Sequence, residues 1–140
     1  MSLPVVLTAP PAVARRELPA IAREVAHRYL PALIALPPIT WSKRARHRML
    51  ACWHSQPFPL GRIEVSRLLD HPEVPDLYLS FLVYHELLHM VLGAKRSGRR
   101  QTYHHRLFRL RERQFQGYER AVAFEKQQLP ALIGEIAVCR

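Results

Sequence analysis

Two histidines and a glutamate, spaced His85-Glu86-Leu87-Leu88-His89, are the residues of this chain best suited to chemistry. On a helix of 3.6 residues per turn, His85 and His89 project from one face, one turn apart. Two imidazoles placed in this way can bind a single Zn²⁺, and Glu86 beside them can take a proton from a water at the metal. The surrounding run, Leu77 to Leu92, is apolar apart from Ser80 and these three residues. Burying three ionisable groups in such a helix is costly unless they are paired or coordinated, which argues against an accidental spelling of the motif.

A catalytic zinc usually has three protein ligands and a water, so the pattern needs a third ligand. The metzincin layout, with glycine three residues after the second histidine and another histidine three further on, is excluded by Leu92 and Lys95. The thermolysin-like layout wants a downstream glutamate with an aspartate four residues later. Glu112, Glu119, Glu125 and Glu135 are instead followed by Gln116, Ala123, Leu129 and Cys139, and no aspartate occurs after Asp76. Histidine remains. His104 and His105 follow a glycine-bounded loop at the start of the next predicted helix. His104 is the better candidate, because His104, Leu107, Phe108 and Arg111 would share one helical face, and His105 is the alternative. His27, His47, His54 and His71 have no ligand spacing. Tyr84, Tyr103 and Tyr118 are all candidates to stabilise an oxyanion, and their spacing does not choose among them.

Several elements must hold these residues in place. Leu18, Ile21, Ala22, Val25 and Tyr29 recur at helical spacing within Val13 to Tyr29, which predicts an amphipathic N-terminal helix with Pro19 in its first turn or at a kink. Pro37-Pro38 leads into an extended segment, Ile39-Thr40-Trp41. Two strand candidates follow, Arg48 to Trp53 and, after Gly61, Arg62 to Ser66 with alternating polarity. They predict a small, mostly antiparallel, three-stranded sheet. Asp70, Pro72, Pro75 and Asp76 are start signals for the motif helix, beginning near Glu73 or Asp76, and Gly93 is placed to end it. A basic loop, Ala94 to Gln101, precedes a helix that Thr102 could cap and that would turn Leu107, Phe108 and Phe115 inward. A last helical stretch, Tyr118 to Gln128, leads to a short apolar tail after Pro130. The order helix, strands, helix, helix gives an α+β fold in a single domain, 1–140, with its core at about 12–126.

The apolar fraction of 49% fits a globular chain, and no apolar run reaches membrane-spanning length. The start of the chain, broken by Pro4, Pro10 and Pro11, makes a poor signal peptide, so a cytoplasmic protein is expected. Cys52 and Cys139 are the two cysteines and are far apart, which excludes a cysteine zinc ribbon and disfavours a disulfide framework. The net charge of +10 suits polyanionic partners as well as it suits an arginine-rich solvated surface. From Lys95 to Arg113, eight basic residues stand against Glu112 alone, a segment able to touch phosphates but lacking the interleaved aromatics of a stacking platform.

With these residues in view, His85-Glu86-Leu87-Leu88-His89, a short basic loop and then His104-x-x-x-Phe108 resemble the SprT-like zinc metallopeptidases. Gly61 to Ser66 also sits where that family has a glycine and a strand ahead of its motif helix. The resemblance runs from about residue 12 to 126, and its specific part is His85 to Phe108. One departure is His105, where the family often has glycine. The resemblance implies a minimal zincin-like domain with a buried motif helix and a ligand-bearing C-terminal helix. It further implies Zn²⁺ held by His85, His89 and His104, Glu86 as general base, and a peptide or protein substrate. Arg62 to Ser66 would then be an edge strand that aligns the peptide, or would simply close the sheet. A reading from another class is a basic nucleic-acid-binding module with a structural or vestigial zinc site.

Overall fold

The element carrying the motif is apolar nearly all round, and it lies accordingly at the centre of the molecule. A computed structural model describes residues 16–138. In it, the motif helix α2 runs Asp76–Leu92, with Pro75 at its N-cap and Asp76 in its first turn. Tyr78, Leu79, Val83, Leu87 and Leu88 on different sides of α2 are all fully buried. Against it pack the N-terminal helix α1 (Leu18–Tyr29), a three-stranded sheet and two of the later helices, all sharing one apolar cluster.

α1 presents Leu18, Ala22, Val25 and Ala26 inward at the spacing of one helical face. Of the longer helix anticipated from Val13, residues 13–15 lie outside the described residues. Tyr29 ties three elements together. Its ring meets those of Tyr84 and Phe115 at 4.9 and 5.2 Å, and its hydroxyl accepts from the Gln116 N–H at 3.0 Å.

The sheet is mixed rather than mostly antiparallel. β1 (Ile39–Trp41) pairs parallel with β3 (Arg62–Val65), while β2 (Ala51–His54) pairs antiparallel with β3 on its other side. This placement overturns one option from the sequence. β3 is the central strand, with Ile63 opposite Ile39 on one side and Trp53 on the other, so Arg62 to Ser66 has no free edge to offer a peptide. The edges of the sheet are β1 and β2, and β2 is the edge strand nearest α2. Gly61 makes the β2–β3 connection possible. Its φ is +72°, and a Cβ there would lie 2.0 Å from the His54 carbonyl oxygen, so no other residue fits.

After α2, Gly93 (φ 62°) turns the chain, and the basic stretch forms a hairpin rather than a loop. Its strands are β4 (Lys95–Ser97) and β5 (Arg100–Thr102), with Gly98 at positive φ in a two-residue turn of the kind that suits twisted strands. All six strand residues are exposed. Three helices close the described chain: α3 (Arg106–Arg113), α4 (Tyr118–Gln127) and α5 (Leu129–Val138), the last taking in the short apolar tail expected after Pro130. α3 is capped by His105 and not by Thr102, and it buries Phe108 while leaving Leu107 half exposed. The whole is a small α+β fold. No helix among the described residues is long and apolar enough to cross a membrane.

Candidate metal centre

His85 and His89 leave α2 on one face, as the spacing requires, and the turn between α2 and α3 brings a third imidazole to them. The Nε2 atoms of His85, His89 and His104 form a triangle with sides of 3.2, 3.2 and 3.1 Å. Among the described residues, these are the three ligand atoms gathered closely enough to hold one metal ion. Phe108 forms the floor. Its ring stacks on His89 at 4.5 Å and meets His85 and His104 edge-on at 4.9 and 5.0 Å, fixing all three imidazoles by contact.

His105 has a different task. Its Nδ1 accepts the Phe108 N–H at 3.3 Å, so its Nε2 carries the proton and donates to the Gly93 carbonyl at 3.1 Å. Both ring nitrogens are thus committed. His105 caps α3 and fastens it to the C-terminal turn of α2, and this clamp holds His104 in place. The sequence placed His104 on the helix face. It lies instead just before the cap, in the connection out of β5.

A carboxylate on α3, Glu112, also belongs here. The Nδ1 of His85 donates to Glu112 Oε2. This contact fixes the tautomer that leaves the His85 Nε2 lone pair bare, the arrangement seen around metal-bound histidines generally. With Gln116 rather than an aspartate four residues on, Glu112 is disfavoured as a ligand of the thermolysin-like layout. The signal that could have placed it was its position one helical turn after Phe108 on α3. The Nδ1 of His89 is buried without a partner among the described residues, so the outer contacts of the site fall mainly on His85.

Burial, and then the closeness of His85 and His104, push the His89 imidazole down to about 4. Burial and then His85 push His104 down as well. Both rings are therefore held in the neutral form that a metal requires.

Glu86 is buried, 6% exposed, and its Oε2 accepts the Trp53 N–H from the free edge of β2 at 2.9 Å. Burial raises its pKa, opposed first by the His85 charge and then by the Trp53 amide. A cleft of about 740 Å³ opens beside it, walled by Ala51, Cys52 and Trp53 of β2 and by Gly93, Gln101 and Tyr103 across from them. Cys52 also lines the cleft but is not one of the three converging ligands, and burial first, then Glu86, push its thiol towards the protonated form. Of the three tyrosines considered from the sequence, Tyr84 is removed from the chemistry, because it is buried and its hydroxyl donates to the Arg111 carbonyl at 2.7 Å. Tyr103 lines the cleft, and Tyr118 borders His85 from the α4 side.

No protein-family model, curated protein or solved structure matches the chain. The site is read from its own geometry, which allows a direct check. Glu112→Ala is expected to lower metal affinity about 10–100-fold, the usual cost of losing such an outer contact, and Glu112→Gln by less because an acceptor remains. Titration against a chelating dye measures both. Unchanged affinity in the alanine variant would mean that the His85–Glu112 contact does not support the site.

Proposed function

We propose that this chain is a zinc-dependent peptidase with a zincin-like arrangement, of the kind that the SprT-like resemblance implies. The observation that carries the reading is the placement of a buried, β2-anchored carboxylate next to three converging imidazoles in an open cleft. The donor set suits zinc. Three nitrogens of a tetrahedral Zn²⁺ at ~2.0–2.1 Å would stand about 3.3 Å apart, close to the triangle formed by His85, His89 and His104. When bound, such an ion would supply an acidified water, with a pKa of about 7, and would polarise a carbonyl oxygen.

The remaining work falls to the chain's own residues. Glu86 accepts the proton of the attacking water and returns it to the departing amine. The Trp53 N–H holds one carboxylate oxygen, leaving the other for that proton. Of the β2 residues, Ala51 directs its N–H and carbonyl, and Trp53 its carbonyl, away from β3, so an extended peptide can pair with these groups and lie across the cleft, while the Trp53 N–H stays with Glu86. Tyr103, which lines the cleft, and Tyr118, which borders His85, are the two remaining candidates to stabilise an oxyanion.

The second reading, a nucleic-acid-binding module, is favoured by the exposed β4–β5 hairpin with Lys95, Arg96, Arg99 and Arg100. Glu86 weighs against it. A structural zinc needs the histidines and gains nothing from an adjacent buried carboxylate. The test is metal analysis of the purified chain, followed by incubation of the zinc-loaded form with a mixed peptide library. One zinc per chain and chelator-sensitive cleavage are expected. Absence of stoichiometric zinc would remove the metal site, and zinc without cleavage would remove the peptidase.

A further inference from the structure

Beside the metal centre lies a cavity of about 220 Å³ bordered by His85, His104, Phe108, Tyr118 and two arginines, Arg109 and Arg113. The arginines are four residues apart on α3 and so share one face. Arg109 spends a single N–H: its Nε donates to the His104 carbonyl at 3.1 Å, which ties its guanidinium to the very segment that carries the third imidazole. Neither arginine makes an ion pair among the described residues. Glu112, the one carboxylate that borders the cavity, is already engaged by His85. Two exposed guanidiniums thus face a small cavity whose inner wall is the metal centre itself, with most of their donors unspent.

We propose that Arg109 and Arg113 form a carboxylate-binding subsite. On the peptidase reading, on which this inference rests, the preferred substrates carry an acidic side chain or a free chain end close to the bond that is cut. A guanidinium matches a carboxylate in a planar, two-point contact, and two of them in a confined space favour an anion over a neutral group. A substrate anion held there lies against His85 and His104, so it fixes the register of the peptide over the metal. A nucleic-acid strand is the less fitting occupant. Of the two phenyl-type rings that border the cavity, Phe108 is buried beneath the imidazoles, which leaves Tyr118 alone rather than a row of faces on which successive bases stack.

The test uses the zinc-loaded full chain and pairs of internally quenched peptides. Members of a pair differ only in Asp against Asn, or Glu against Gln, at positions flanking the cut. A parallel pair differs in a free against an amidated C-terminus, which separates a side chain from a chain end as the recognised group. A preference of roughly tenfold or more in kcat/KM for the carboxylate member is expected, the effect of one charge-assisted hydrogen bond. Arg113→Gln should reduce that ratio several-fold, and the double variant Arg109→Gln/Arg113→Gln should bring it near one. Arg113→Lys should keep part of it, because charge survives while two-point geometry does not. Zinc content and melting temperature, measured on each variant, separate loss of recognition from loss of the site.

A wild-type ratio near one, or a ratio unchanged in the double variant, overturns the subsite while leaving the peptidase intact. Silence with every peptide overturns both. If a short oligonucleotide binds through the same arginines while the peptide ratio stays at one, the subsite belongs to phosphate and the proposal is wrong.

Discussion

Replacing Glu86 by glutamine is expected to abolish peptide hydrolysis while leaving zinc bound. General acid–base catalysis by a positioned side chain contributes about 10²–10⁴ in rate, and Gln has no basicity to replace it. The substitution is conservative in every other respect. The side-chain oxygen of Gln can still accept the Trp53 N–H that holds Glu86 at 2.9 Å, so the β2–α2 junction is kept. Stability should hold or rise. Burial raises the Glu86 pKa, which means that the folded chain favours the protonated form more than the unfolded chain does. Above that raised pKa the fold carries an ionised carboxylate at a cost, and Gln removes the cost. A variant that binds one zinc, melts no lower than the parent and cleaves nothing would separate a general base from a structural group. Cleavage at the parental rate would refute the mechanism; a drop in zinc content would place Glu86 among the ligands instead.

The parts of this architecture that were legible in sequence are those governed by local periodicity. α2 was readable from its apolar run and from Gly93, because a helix buried all round has no polar face to disguise it. α1 and α4 were readable for similar reasons. The β4–β5 hairpin was not, since its strands are short, charged and exposed and lack the alternation that marks a half-buried strand; Gly98 was its one signal. The order of the sheet was not legible either. Whether Arg62–Val65 is central or at an edge depends on β1 returning beside it in parallel, a contact made across more than twenty residues.

At the site, sequence spacing brought forward His85, Glu86, His89 and His104, and the fold brings these four together. It could not separate the tasks of two adjacent histidines, because their separation rests on the cap at His105. Nor could it assign Glu112, whose partner lies 27 residues away.

Those adjacent histidines give the sharpest remaining prediction, since alanine at each should produce opposite signatures. His104 lies in an exposed connection, and among the described residues its ring has no hydrogen-bond partners beyond the other two imidazoles. His104→Ala should therefore leave the metal-free fold nearly as stable as the parent. Its loss should be seen in zinc affinity, which is expected to fall by more than the roughly 10–100-fold that an outer contact costs. With free zinc a thousandfold above the parental Kd, binding stabilises the fold by about 4.1 kcal/mol, on the order of 10–15 °C in Tm. Most of that zinc-dependent shift should vanish in His104→Ala. His105→Ala should do the reverse at first sight. Removing the cap costs about 1 kcal/mol in the metal-free fold, and the Gly93 clamp goes with it. The three Nε2 donors remain, so a zinc-dependent rise in Tm should persist from a lower starting point. Thermal melts with and without zinc on the two variants decide the matter. If His105→Ala loses the zinc shift and His104→Ala keeps it, the third ligand has been assigned to the wrong histidine.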